Sequence, residues 1–432
     1  MTQAISKSKV KKTGRKIRKE LKESNTISKD NLECLQHYRL QHIPALKICF
    51  DYLVRKGKNE EKGSLVVFRL KRIDTIKRKI IRFPNMDLST MQDIAGCRII
   101  LNQEKSIYRI VKEFEGNKDF SILKSNDYIK EPSETGYSSY HLIVKHHSCD
   151  SPVEIQLRTR TQHYWATFVE LLDVVYKEKV KEGSSNPKLQ KFHYLMSLTR
   201  DNKKLTTRDL EFLLEYEKEK KIIKKSIEIF GGNLGLSLKK WLESENNKEY
   251  LLLILDRKLN PTFNFFDDYQ KAENSYLENF SSSEPNMVLI HSNNLEFDKI
   301  QLAYSNYILT NHPAIIHLLN LHLEKYNEFK INTNMKMFIK YYEYMRELIE
   351  TFQSKIDVEL EELSKYLSKN EDKLSYDVKF IIEKWLNSLT KRYQLHQSLF
   401  KIIENDYKKY SNFKEKISKK TTLQKILYRL HS

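Results

Sequence analysis

Breakers, cysteines and long apolar runs are all scarce in this chain. Ten glycines and eight prolines serve 432 residues, so a phosphate cradle built from backbone amides is excluded in practice: neither GxxxxGK[ST] nor GxGxxG occurs. Any bound phosphate must therefore be held by side chains. The four cysteines, Cys34, Cys49, Cys97 and Cys149, form no CxxC pair, which argues against a disulfide framework and a zinc knuckle. No run approaches eighteen uninterrupted apolar residues, and the first twenty residues are basic and polar. A membrane span and a secretion signal are not expected, and a cytoplasmic location is.

What is present is a folding composition: 40% hydrophobic, 31% charged and 11% aromatic residues, with a net charge of +19. That length and mix predict two to four domains. Most of the charge lies early. Residues 1–82 carry 23 Lys and Arg against 8 Asp and Glu, a net +15, and the other 350 residues add only +4. A cluster such as Lys7, Lys9, Lys11, Lys12, Arg15, Lys16, Arg18 and Lys19 suits a polyanion, because each phosphate contact releases counterions. A solvated lysine-rich tail reads the same way.

After Gly235 there is no glycine, and after Pro313 no proline. The three- and four-residue apolar spacing beyond that point predicts an all-helical C-terminal region. Residues 30–56 and 205–228 read as helices. VVFRL, GCRIIL, SYHLIV and VEIQL read as strands, as do YLLLILD and MVLIHS further on, with helical spacing near 267–280 and 295–309. The fold class is α/β (α+β) with a mixed central sheet. The expected segmentation is a basic tail (1–29), an α/β domain (30–200), a helical connector (201–247), a small α/β unit (248–328) and helices (329–432).

Four features carry chemistry. Arg69, Lys71, Lys77, Arg78 and Lys79 form a basic cluster in which Thr75 and Lys79, four apart, share a helix face; a surface stripe is the plainer reading. Asp93 precedes a strand containing Arg98, and Glu154 opens another. Two carboxylates beside a basic cluster are what magnesium needs to sit against nucleotide phosphates. Finally, YIKEPSETGYSSYH is a turn-rich loop in which Tyr137 could stack on a nucleobase, ending at His141.

Taken together, RLKRIDTIKRK, DIAGCRII, DYIKEPSETGYSSYH and EIQLRTRTQHYWATFVE, from about residue 65 to 175, resemble the synthetase domain of the RelA/SpoT alarmone synthetases. The resemblance implies a mixed sheet of nucleotidyltransferase type and transfer of the β,γ-pyrophosphate of ATP to the 3'-hydroxyl of GDP or GTP. It implies that Arg69 and Arg98 sandwich adenine, that Lys71, Thr75 and Lys79 serve the ATP phosphates, and that Asp93 and Glu154 bind Mg²⁺, with Glu154 also a base. Tyr137 would stack the acceptor base, completed by His141, Gln156 and Arg158. No His-Asp dipeptide occurs, so synthesis without hydrolysis is expected.

Two lysines usual in the acceptor loop of that family are Asn126 and Ser133 here. Their loss makes a second acceptor credible, the 3'-terminal adenosine of tRNA, as in the toxic branch, with the basic N-terminus holding the nucleic acid. A degenerate, RNA-binding regulator is a third reading. Residues 250–320 also resemble the C-terminal segment of fused toxin–antitoxin, CapRel-like members, in which a YxxY element, here Tyr304 and Tyr307, covers the ATP pocket. The same tyrosines could equally be helix-face packing. Expected partners are thus ATP, GDP or GTP or tRNA, and a second copy or a triggering protein.

Overall fold

The computed structural model describes residues 4–133, 136–176, 186–201, 203–230, 240–241, 248–255, 261–280, 286–292, 300, 312–331, 335–372, 374 and 376–418. The chain divides into two units, Met1–Ala166 with Lys240–Ala303, and Thr167–Lys239 with Tyr304–Ser432. Tyr304 and Tyr307, the helical spacing at 295–309 and the GGNLG break lie outside the described residues.

The first unit is built on a mixed eight-stranded sheet in the order β3-β4-β5-β2-β1-β8-β6-β7. Its strands are β1 (Leu65–Leu70), β2 (Ala95–Leu101), β3 (Phe120–Asp127), β4 (Tyr140–His146), β5 (Val153–Thr159), β6 (Tyr250–Leu255), β7 (Pro261–Phe266) and β8 (Asn286–His291). Only β2 and β5 run parallel; the other neighbours are antiparallel. The helices in chain order are α1 (Lys7–Glu23), α2 (Lys29–Leu40), α3 (Ile43–Glu60), α4 (Ile73–Arg82), α5 (Glu104–Gly116), α6 (Arg160–Tyr176), α7 (Pro187–Arg200), α8 (Thr207–Lys220), α9 (Ile222–Phe230), α10 (Tyr269–Glu278), α11 (Pro313–Ile331), α12 (Met335–Asn370) and α13 (Tyr376–Ser418).

Alternation decides the sheet's two faces. Val66, Phe68, Cys97, Ile99, Leu142, Ile155 and Leu157 turn one way and are buried against α3, α5 and α10. The intervening residues turn the other way and include Arg69, Arg98, His141, Glu154, Gln156 and Arg158. A second apolar cluster joins Val10, Ile17 and Leu21 of α1 to Leu35 of α2 and Ile73, Ile76 and Ile80 of α4.

That cluster corrects the expected basic tail. Val10, Ile17 and Leu21 recur at helical spacing and need cover, so α1 folds onto α4 while Ser6 accepts the Lys9 N–H at its start. Arg18 closes the far end of α4 by donating to the Ile80 and Phe83 carbonyls. The expected small α/β unit at 248–328 is likewise drawn differently: β8 pairs with β1, so β6, β7 and β8 continue the central sheet. The physical reason is that β1 would otherwise expose a row of unpaired amides.

Two expected helices are split. Residues 30–56 break between α2 and α3, where Pro44 sits in the first turn of α3 and cannot accept a preceding helix. Residues 205–228 break at Lys221, which is left-handed (φ 53°). Strand β3 escaped notice because its apolar residues are few and it lies at the sheet edge.

The second unit is helical. Its buried polar centre is Glu217, which accepts hydrogen bonds from Tyr344 and from the Ile223 N–H and lies 2.6 Å from His322 Nε2. No described helix is long and apolar enough to cross a membrane.

Candidate active site

Strand register assembles the polar face. Arg69 on β1 stands opposite Gly96 on β2, and Gly96 opposite Glu154 on β5. One row along, Arg98 stands opposite Gln156, and Gln156 opposite His141 on β4. Glu154, Gln156 and Arg158 alternate along β5, so all three share this face. Six of the expected residues thus meet on four adjacent strands. Gly96 was missed by sequence reasoning; lacking a side chain, it leaves open the space between Arg69 and Glu154.

The basic cluster meets the sheet at the C-terminal end of β1. Lys71 follows β1, and α4 buries Ile73, Ile76 and Ile80 while turning Lys79 toward the loop before β2. Asp93 Oδ2 accepts from both ammonium groups, Lys71 at 2.9 Å and Lys79 at 2.6 Å. Asp93 Oδ1 is buried and has no hydrogen-bond partner. Burial lowers the Lys71 pKa, against the opposing pull of Asp93 and, more weakly, Glu154. Lys71 is therefore within electrostatic reach of both carboxylates, and the two acidic groups converge on one end of β2 and β5. Thr75 sits on α4 and accepts from Arg78 at 3.3 Å.

The Tyr137 side of the face is a connected network. Gly136, at φ 73°, sets a turn that only glycine takes without strain. Its N–H donates to the Ser133 carbonyl at 2.7 Å, and the Tyr137 N–H donates to Ser133 Oγ. Buried Arg158 donates to Tyr137, to Gln156 and to Ser139. A guanidinium can only donate, so the Tyr137 hydroxyl is left to donate to His141 Nε2, 2.8 Å away. Neutral His141 then carries its proton on Nδ1, facing Glu154 Oε1 at 3.4 Å. Tyr128, another residue the sequence reading missed, packs edge-on to both Tyr137 and His141.

Electrostatics follow from these partners. Burial would raise the Glu154 pKa, but His141, Lys71 and Gln156 together hold it at about 2. Burial would lower the His141 pKa, yet Tyr137 and Glu154 lift it above the ordinary histidine value. Gln156 serves as a hub, accepting from Arg98 and Arg158 and donating to Glu154.

Magnesium is a fair fit to this donor set. It takes one or two carboxylates and otherwise keeps water and phosphate oxygens, and Asp93 Oδ1 is a buried acceptor without a donor. No group of three or more acidic, histidine or cysteine ligands occurs among the described residues, so a full protein cage is not what this site resembles.

The sheet face, the two lysines and the acidic pair form one polar site, and comparison with known proteins shows what the stretch that builds it is similar to. Residues 68–181 match the family model described as the region found in RelA / SpoT proteins. The chain therefore carries a RelA/SpoT-type region over that stretch.

Among individual relatives, it is 36% identical over 129 residues to the GTP pyrophosphokinase YjbM of Bacillus subtilis, covering 27% of this chain and 59% of that protein. It is 33% identical over 116 residues to the GTP pyrophosphokinase YwaC of the same organism, covering 23% and 52%. The chain thus spans little more than half the length of these curated relatives. The crystal structure of small alarmone synthetase 1 from Bacillus subtilis bound to its product pppGpp aligns at 28% identity, over 38% of this chain and 88% of that one, with a TM-score of 0.33.

Proposed function

We propose that the protein is an ATP-dependent pyrophosphotransferase that moves the β,γ-pyrophosphate of ATP to the 3'-hydroxyl of a guanosine nucleotide, GDP or GTP. The observation that carries this reading is the paired arrangement of Lys71 and Lys79 on Asp93, beside Glu154 and the arginines of the same sheet face. The named relatives support it.

In this reading Arg69 and Arg98 hold adenine. They are diagonal neighbours on β1 and β2, about 7–8 Å apart, which leaves room for one planar ring between two guanidinium planes. Lys71 and Lys79 neutralise the phosphates, and Thr75 lies on the same helix. Tyr137 stacks the acceptor base, with His141, Gln156 and Arg158 fixing its ring in place. Asp93 and Glu154 would hold magnesium, which when bound screens the phosphate charge.

The acceptor 3'-oxygen bonds to the β-phosphorus, the bond from that phosphorus to the α,β-bridging oxygen breaks, and AMP leaves with that oxygen. The hydroxyl proton passes to the Glu154–His141 pair. A carboxylate held at about pKa 2 is a weak base, so Glu154 serves chiefly as an ionised anchor. Positioning and charge neutralisation supply most of the rate.

Two observations favour a second acceptor, the 3'-terminal adenosine of tRNA. Asn126 and Ser133 replace cations, and the Ser133 hydroxyl is spent on the turn at Tyr137. Exposed Lys9, Lys12, Lys16 and Lys19 line α1, offering contacts to a nucleic-acid backbone. Incubation with ATP labelled in its terminal phosphates and GDP, GTP or deacylated tRNA decides the matter. Label on tRNA alone defeats the guanosine reading; label on none defeats the pyrophosphotransferase reading.

A further inference from the structure

The backbone of Leu70 and Lys71 is gripped from three directions. Pairing of β8 with β1 ends at Phe68, and beyond it the Leu70 N–H donates to the Tyr276 hydroxyl at 3.2 Å, a buried bond spanning 206 residues of sequence. The Lys71 N–H donates to the Ile94 carbonyl at 2.7 Å. The Lys71 carbonyl accepts from Arg39 Nε at 2.9 Å. Arg39 and Tyr276 are each 1% exposed, and they share a neighbour: the Arg39 guanidinium lies 4.4 Å from the Phe280 ring centroid, and Tyr276 packs on that ring and on Phe68.

A buried arginine aimed at one carbonyl, and a buried tyrosine completing a strand end, fix a backbone that would otherwise carry orphaned polar groups. The next atoms along are the Lys71 side chain, which reaches Asp93. We propose that Arg39 and Tyr276 are positioning residues that aim the Lys71 ammonium at the phosphate site, so that α10, from the far end of the sheet, sets affinity for ATP. The proposal rests on the ATP reading above for its kinetic form, but not for its structural form.

Tyr276→Phe removes only the hydroxyl and keeps the ring contacts. The expected result is a rise of roughly fivefold in the ATP KM, the scale of one lost hydrogen bond, with the acceptor KM unchanged. The Leu70 and Lys71 backbone amides, followed by NMR hydrogen exchange, exchange faster than in wild type. Tyr269→Phe, which removes a hydroxyl bonded within α10 to Glu273, leaves both readouts unchanged. Arg39→Ala reproduces the Tyr276→Phe effect, and Arg39→Lys partly restores it.

An unchanged ATP KM and unchanged exchange of the Leu70 and Lys71 amides in Tyr276→Phe overturn the proposal, as does a KM rise shared equally by ATP and acceptor. Should the wild type transfer no pyrophosphate at all, the functional reading fails, and the positioning claim stands or falls on the exchange of the Leu70 and Lys71 amides alone.

Discussion

Replacing Glu154 with Gln tests the centre of the site. The substitution keeps the shape and the oxygen facing His141 but removes the charge. In the folded protein Glu154 is held at about 2 against an ordinary 4.5. At about 1.4 kcal/mol per pKa unit, that is about 3 kcal/mol favouring the ionised form. Its side chain is 22% exposed, so solvent screening takes only part of this. The depressed pKa means the unfolded chain takes up the proton first as pH falls, so the contribution is complete above pH 4.5 and disappears toward pH 2.

The expected outcome is that Glu154→Gln costs about 3 kcal/mol near neutral pH and close to nothing near pH 2, while transfer activity is abolished. Urea denaturation read by tryptophan fluorescence measures the stability part. Trp165 and Trp241 report from the sheet-bearing unit, with Trp385 replaced by Phe. A penalty that stays constant across the acid range, or retained turnover, refutes the reasoning.

Asp93→Asn leaves Lys71 and Lys79 without their shared anion; the Lys71 pKa, already lowered by burial, falls further, and transfer is lost, as NMR titration and the label assay show. His141, whose pKa is raised, adds stability that is complete below its ordinary value near 6.5 and fades as pH rises through the raised one; its imidazole resonances in Glu154→Gln titrate at lower pH than in wild type. At Gly96 an added Cβ meets only the Glu154 carbonyl at 3.6 Å, so Gly96→Ala folds and gains about 0.5 kcal/mol. Gly96→Leu fills the space beside Arg69 and abolishes transfer without unfolding the protein. Ile17, fully buried in α1, costs about 2–4 kcal/mol as Ile17→Ala, whereas exposed Lys12→Gln stays within about 0.5 kcal/mol in denaturant titrations.

By itself the sequence determined the elements whose periodicity is strong and local. VVFRL, GCRIIL, SYHLIV and VEIQL read as strands because their apolar residues suit a pleated sheet, and the helical region after Pro313 followed from the want of glycine and proline. The resemblance of its motifs to the RelA/SpoT family also pointed to Arg69, Lys71, Asp93, Arg98, Glu154 and Gln156 as expected nucleotide contacts. Only the tertiary structure decided what those residues touch. Lys71 and Lys79, eight positions apart, share one Asp93 carboxylate oxygen because α4 folds back toward the loop before β2. Tyr276 meets Leu70 because β8 finds the open edge of β1, a pairing no local pattern announces. Alternation says which face a residue joins; long-range hydrogen bonding and the burial of apolar surface determine which strands become neighbours. That is why α1 read as a charged tail until the apolar surface of α4 gave its buried face somewhere to go.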